Sequence, residues 1–421
     1  MTSQPKNLNK TVFLREFSWL GASTVLFQGS RVGTELFVAK LLGPETWGIW
    51  YFLNLVIAYR SFFHFGVING LNREAPILNG KGDHHLAFEM QNSVLTFLII
   101  SSIVLGSIFG LGYYLIEPEL FSSYIAPVVL LLLCSQLFDY ISVLCTTNLA
   151  FKTLGKIKII YALCAPVIVL PLVLSLGLLG LVLGMLVAYA LVVTIFFING
   201  KRWRPFDFQW GFIAQLTRIG FPIMLVGVAY TILLTIDRFL IGIFLGVREV
   251  GVYSLTIIVF GVIVLLPRIV NQQFYPRMAM AYGKNASFET LAEMIKTQRR
   301  YTMRLLLLLI AAINLIFPIG VPLFLPEYQE GLPALFIVSV SGLSVSLASG
   351  WATYLHLINK QTIYLTLILI ALVINLLVSS LLLHFGLQLI GVAIGTTISF
   401  VAFNFAIMYL GRSYSVRQAV G

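Results

Sequence analysis

Leu42-Gly43-Pro44-Glu45-Thr46-Trp47-Gly48-Ile49-Trp50 and Leu245-Gly246-Val247-Arg248-Glu249-Val250-Gly251-Val252-Tyr253 are two versions of one stretch. The leucine, both glycines and the closing aromatic coincide at one constant offset. The first copy joins two long apolar segments between Ser18 and Asp83, which carry Arg31, Glu35 and Arg60. At the same offset Thr34-Glu35 falls on Asp237-Arg238, and Gly80-Lys81 falls on Gly283-Lys284. Further on, Leu154-Gly155-Lys156 lies near Ile358-Asn359-Lys360, and Gly180 to Gly184 matches Gly391 to Gly395 after a slip of several residues. The chain reads as one unit written twice.

Composition states what kind of unit it is. Of 421 residues, 59% are hydrophobic and only 10% charged, where a soluble domain carries about a quarter. Mean hydropathy is +0.95. Runs of about 20 apolar residues, the length that crosses a bilayer as a helix, recur from end to end. A membrane β-barrel would instead alternate apolar and polar residues over about ten at a time. The expected fold is an all-α polytopic membrane protein. Its spans fall near 17–41, 48–72, 91–116, 125–149, 159–178, 180–199, 219–244, 251–275, 302–325, 333–357, 363–384 and 389–411. Spans five and six are separated by little more than Gly177 to Gly180, so a single kinked re-entrant element is the alternative there. Twelve spans in two halves of six make parallel repeats, two helix bundles related by a pseudo-two-fold axis along the membrane normal. The domains are then residues 1–199, a cytoplasmic interfacial linker 200–218, and residues 219–421.

The net charge of +11 is a topology signal and not a nucleic-acid footprint. Lysine and arginine concentrate in alternate links: Arg73 and Lys81, then Lys152, Lys156 and Lys158, then Lys201, Arg202 and Arg204, then Arg277 to Arg300. The other links hold Lys40 and Arg248 among glutamates. The positive-inside rule places both termini in the cytoplasm. Residues 1–10 form a polar tail with no cleavable leader pattern. The linker's mixture of Trp203, Trp210 and basic residues suits a segment lying on an anionic leaflet. Cys134, Cys145 and Cys164 all lie in apolar runs without CxxC spacing and read as buried hydrophobes.

Charges inside the spans carry the functional signal. Each costs roughly 2.5–3.5 kcal/mol at mid-bilayer, so such residues face water or a partner. Thr24, Gln28, Arg31 and Glu35 recur at one helical face of span one. Thr231, Thr235 and Arg238 do so on span seven, Arg268, Asn271 and Tyr275 on span eight, and Arg60 with His64 on span two. These four helices are expected to line a wet cavity. Arg31, Arg60, Arg238 and Arg268 outnumber the acids Glu35, Asp237 and Asp139, and a surplus of guanidinium suits an anionic ligand with phosphate oxygens. The acids serve either ion coupling or charge pairing. Arg31 and Glu35, four residues apart, can neutralise each other. Arg60 and Arg268 have no acid within a turn of their own helix. The five histidines are scattered, with no metal-site spacing, and no Walker motif is present. No cofactor and no catalytic residue are expected.

The run Ala39 to Gly48, the following Phe65-Gly66-Val67-Ile68-Asn69-Gly70 with Arg73, and the Gly80-Lys81 link resemble the polysaccharide transporter flippases, the Wzx-like group of the MATE-like (MOP) superfamily. The second-half echo extends the resemblance over nearly the whole chain. It implies translocation of an undecaprenyl-diphosphate-linked oligosaccharide across the bacterial inner membrane by alternating access, with proton or sodium coupling in some relatives. It also implies membrane lipids and polysaccharide assembly proteins as partners. No individual ligand residue is carried over from it. A cation-coupled drug antiporter of the same superfamily is the rival, although an acid-rich cavity would suit it better. A membrane polysaccharide polymerase or ligase would need a substantial outer loop, and none is present. A major-facilitator transporter would carry an Asp- and Arg-rich link after span two, which is missing between Asn72 and Glu89. A lipid II flippase would be expected to have extra spans.

Overall fold

The computed structural model describes residues 10–116, 118–199, 208–283, 288–358 and 360–420. The described residues are helical nearly throughout and contain no strand. In chain order the helices are α1 Lys10–Ala58, α2 Val67–Lys81, α3 His84–Ile116, α4 Pro118–Thr147, α5 Phe151–Asn199, α6 Trp210–Leu233, α7 Ile236–Phe244, α8 Val247–Gly283, α9 Phe288–Phe324, α10 Leu332–Leu357, α11 Gln361–His384 and α12 Gln388–Val420. Single 3₁₀ turns lie at Arg60–His64 and Pro326–Gly331.

Among the described residues nine helices are individually long and apolar enough to cross a bilayer, and the bent pair Trp19–His64 with Val67–Lys81 makes a tenth candidate. Two of these hold two crossings each. In α1 the helix breaks at Gly43, with φ 71° and ψ 168°, and Pro44 starts the next turn. In α5 it breaks at Gly177, with φ 58° and ψ −130°. A side chain at either glycine would be strained at such a φ. Among the described residues this makes twelve candidate crossings, with spans five and six as separate helices. Span two, expected over 48–72, is broken and bent. It ends at Ala58, turns through Arg60–His64, and resumes as α2 after a bend of 53°. Span seven is likewise interrupted between Leu233 and Ile236, where Thr235 Oγ1 donates to the Thr231 carbonyl at 2.9 Å.

The backbone groups into two compact units. The first comprises Met1–Leu42 and Leu53–Val228, the second Gly43–Phe52 and Ala229–Gly421. The division falls inside span seven, whereas composition suggests boundaries at 199 and 219. The cause is close packing: α6 lies against the start of α2, so that a Cβ on Gly220 would strike the Gly66 backbone and one on Gly70 would strike Leu216. Residues 200–207 of the expected interfacial linker lie outside the described residues.

In the first unit α3, α4 and α5 pack in sequence around a core that includes Leu98, Ile141 and Tyr161. Ser102 Oγ donates to Gln136 Oε1 at 3.0 Å, which joins α3 to α4 inside that core. In the second unit α10 packs on α8, α9 and α12. The buried Asn404 side chain on α12 donates to Ser344 Oγ on α10 at 2.9 Å. Outward faces stay apolar: Val167, Leu174, Leu308, Leu315 and Leu377 are each at least 66% exposed. Such a surface suits hydrocarbon and not water. Cys134, Cys145 and Cys164 are all free.

Within the second unit the two copies of the repeated link pack on each other reciprocally. Gly48 lies against the Val247 carbonyl, and its equivalent Gly251 lies against the Pro44 carbonyl. The repeat preserves both glycines because neither backbone leaves room for a Cβ. Gly48→Val or Gly251→Val should each destabilise the protein by about 1–3 kcal/mol, the cost of overpacking. Gly29→Val, where a Cβ meets nothing within 4 Å, should leave the thermal midpoint in detergent unchanged. Equal midpoints for all three variants would reject the reciprocal packing.

Candidate functional site

Each unit presents arginine beside tyrosine. In the first unit, Arg31 on α1 pairs with Glu35 one turn on, Nη2 to Oε1 at 3.3 Å. Both side chains are partly open, 38% and 28% exposed, so the pair is solvent-screened and weak. Arg60, in the 3₁₀ turn, reaches across to α4. Its Nε donates to Asp139 Oδ2 at 2.6 Å and its Nη1 to the Ile57 carbonyl at 3.0 Å. The acid missing from its own helix is supplied by another, so Arg60 is not an unpaired cation.

The two arginines share surroundings. Tyr189 acts electrostatically on both, and Tyr161 acts on Arg31. Tyr161 and Tyr189 stand on opposite sides of the Gly177 break, with ring centroids 4.7 Å apart. Phe27 lies 5.0 Å from Tyr161, and Phe138 lies 5.5 Å from Tyr189. The result is a wall of four aromatic rings beside two guanidinium groups. Lys158 adds a third cation: its Nζ donates to Thr24 Oγ1 at 2.9 Å. Its place in a basic link suggested only a topology signal.

Arg60 and His64 do not share a face. The segment between them is 3₁₀, in which the residue eclipsing Arg60 is three along and not four. His64 is buried, and its Nδ1 accepts the Gly66 N–H at 3.1 Å. That bond fixes the bend of span two.

In the second unit, Arg268 on α8 is exposed and forms no ion pair among the described residues. Tyr230 and Tyr364 lie within its electrostatic reach. Phe403 packs on both rings, 6.5 Å from Tyr230 and 5.5 Å from Tyr364. Asn271 leaves the expected stripe. Its Oδ1 accepts from Thr353 at 2.6 Å and from Gln298 at 3.3 Å, which binds α8 to α10 and α9. Arg238 is also diverted: its Cζ sits 5.2 Å from the Tyr51 ring centroid, a cation–π contact, with Nε buried and unbonded. Asp237 is buried beside it. The break at Thr235 interrupts the stripe from Thr231 to Arg238.

A separate cavity of about 1210 Å³ opens in the first unit among Asn79, His84, Gln91, Asn148 and Lys156. None of the expected site residues lines it. The described residues contain no cluster of three His, Cys, Asp or Glu side chains that could hold a metal ion.

A protein family described as "polysaccharide biosynthesis protein" matches residues 37–325. No curated protein matches the chain. Solved structures match over more than nine-tenths of its length. An inward-facing multidrug-resistance MATE family transporter of the MOP superfamily is 15% identical, with a TM-score of 0.72 over 92% of this chain and 94% of its own. A Vibrio cholerae MATE transporter is 14% identical, with a TM-score of 0.65 over 97% and 98%. A Pyrococcus furiosus MOP superfamily transporter, described as having a binding pocket of reverse polarity that suggests a different function, is 15% identical, with a TM-score of 0.64 over 95% of each chain. At these identities the likeness establishes the fold.

Because the Arg60–Asp139 pair is about one-third open, Asp139→Asn should lower stability by no more than about 1 kcal/mol. Thermal unfolding of the purified protein measures this. A loss of several kcal/mol would make the pair a structural strut and not part of a wet site.

Proposed function

The chain belongs to the polysaccharide biosynthesis protein family, and from that premise we propose that it flips a lipid-linked anionic oligosaccharide across the bacterial inner membrane by alternating access. The observation that carries this reading is Arg268. It is a guanidinium on a membrane-spanning helix, exposed, within electrostatic reach of Tyr230 and Tyr364 and without an acid partner among the described residues. Such a group is costly in hydrocarbon and keeps its charge when partly desolvated, so water and an anion are its natural company.

Arg31, Arg60 and Lys158 supply the same chemistry in the first unit, only partly balanced by Glu35 and Asp139. Arginine meets diphosphate oxygens with paired N–H donors. The tyrosine walls offer flat apolar faces for sugar rings and hydroxyls for their oxygens. Both termini are cytoplasmic in this reading, and the carrier is undecaprenyl diphosphate. Arg238, held over Tyr51, contributes less directly than the other three.

The fold is shared with multidrug transporters, so a drug antiporter is the alternative to test against. That alternative calls for exposed acid in the cavity. Here Glu35 and Asp139 are each engaged by an arginine.

Arg31→Ala, Arg60→Ala and Arg268→Ala should each cut surface-polysaccharide export about ten- to a hundredfold, equivalent to the roughly 1.5–3 kcal/mol of a hydrogen bond to a charged group. Membrane levels of the protein should be unchanged, and lipid-linked repeat units should accumulate. Lysine at these positions should restore only part of the export, because it loses the forked geometry. Normal export from all three alanine variants would overturn the assignment.

A further inference from the structure

The cavity of about 1210 Å³ in the first unit has no part in the transport reading. It opens where the α2–α3 and α4–α5 links lie, and Asn199 at the end of α5 lines it as well. Lys81, Lys152 and Lys156 mark this end of the unit as the cytoplasmic one by the positive-inside rule. Away from the links the walls are apolar. Leu95 on α3 and Ile160 on α5 lie about two to three turns into their helices. The volume exceeds the roughly 300–1,000 Å³ of small-molecule sites, so a small metabolite would fill it poorly.

Most polar side chains at the mouth already have partners. Asn79 Nδ2 donates to Asn148 Oδ1 at 3.2 Å, and Asn148 Nδ2 to the Leu144 carbonyl at 2.9 Å. Asn199 Nδ2 donates to the Ile195 carbonyl at 2.8 Å. Two lining side chains differ. Gln91 and Asn92 on α3 are 6% and 4% exposed, yet Gln91 Nε2 and Asn92 Nδ2 have no hydrogen-bond partner. Buried amides nearly always find one. What the cavity lacks is therefore an acceptor. Lys156, also in its lining, is exposed and forms no ion pair among the described residues. No aspartate or glutamate lines the cavity among the described residues.

Unpaired N–H donors beside an ammonium group, with no acid, suit the oxygens of a phosphate. Apolar walls beyond them suit a hydrocarbon chain attached to it. We propose that this cavity binds an anionic phospholipid of the inner leaflet, its phosphate among Gln91, Asn92 and Lys156 and the start of an acyl chain along Leu95 and Ile160. That leaflet is the one rich in anionic lipid. A choline or ethanolamine headgroup fits less well, because no carboxylate balances its positive charge. The bound lipid links α3 to α5 inside the first unit. The site does not depend on what the protein transports.

The test is thermal unfolding of the purified full-length protein in detergent, with dioctanoyl phosphatidylglycerol, dioctanoyl phosphatidylcholine or inorganic phosphate added at equal ionic strength and pH. Phosphatidylglycerol should raise the midpoint by several degrees and saturate, as mass action on a folded-state site requires. Phosphatidylcholine and inorganic phosphate should not. Lys156→Gln, Gln91→Leu and Asn92→Leu should each abolish the shift, whereas Arg268→Ala should keep it in full. Without lipid, the two leucine variants should unfold no earlier than the unmodified protein, since the amide nitrogen each removes has no partner to lose. Where a leucine variant does not fold, Lys156→Gln, at an exposed position, decides. An equal shift from phosphatidylcholine identifies apolar filling, and an equal shift from inorganic phosphate identifies a free-anion site; either overturns the proposal. No shift from phosphatidylglycerol overturns it, and so does a shift that survives Lys156→Gln but is lost in Arg268→Ala.

Discussion

A charged side chain cannot stay alone in hydrocarbon, and that constraint explains most of the polar structure of this protein. Arg60 is met by Asp139 at 2.6 Å and Arg31 by Glu35 at 3.3 Å. Arg238 is met by an aromatic face. Arg268 and Asp237 are met by neither an acid nor a base among the described residues. Arg268, an exposed guanidinium with no acid beside it among the described residues, is the group on which the transport reading rests.

Helix breaks position these groups. A continuous helix from Trp50 to Lys81 would point Arg60 along one stripe with His64. The 3₁₀ turn and its 53° bend instead deliver Arg60 to α4 and bury His64 as the acceptor that holds the bend. The interruption at Thr235 separates Arg238 from Thr231 and sets Asp237 among α8, α11 and α12. Discontinuous helices in membranes are tolerated where other groups satisfy the freed backbone. Here Thr235 returns its hydroxyl to the Thr231 carbonyl.

The all-helical class, the twelve crossings and the repeated link were legible because they rest on period, length and glycine placement. The glycine offset proved to be a packing statement, Gly48 on Val247 and Gly251 on Pro44. The arginines were legible as costly residues, but their partners were not. Asp139 comes from a different helix, 79 positions along the chain. Periodicity along one helix cannot announce a partner on another. The same limit hid Lys158, which donates to Thr24, and Tyr161 and Tyr189, which act on Arg31 from opposite sides of the Gly177 break in α5. Stripe reading failed at Asn271 and His64, where a polar residue satisfies other buried polar groups and does not line a cavity.

The most direct measurement is made in proteoliposomes that contain the purified protein and a fluorescent undecaprenyl-diphosphate-linked oligosaccharide, with a membrane-impermeant quencher added outside. The account predicts that the protein moves the labelled lipid between leaflets much faster than protein-free vesicles do, and that the combined Arg31→Ala, Arg60→Ala and Arg268→Ala variant does not. No acceleration of the lipid, together with gradient-driven uptake of an organic cation by the same vesicles, would contradict it.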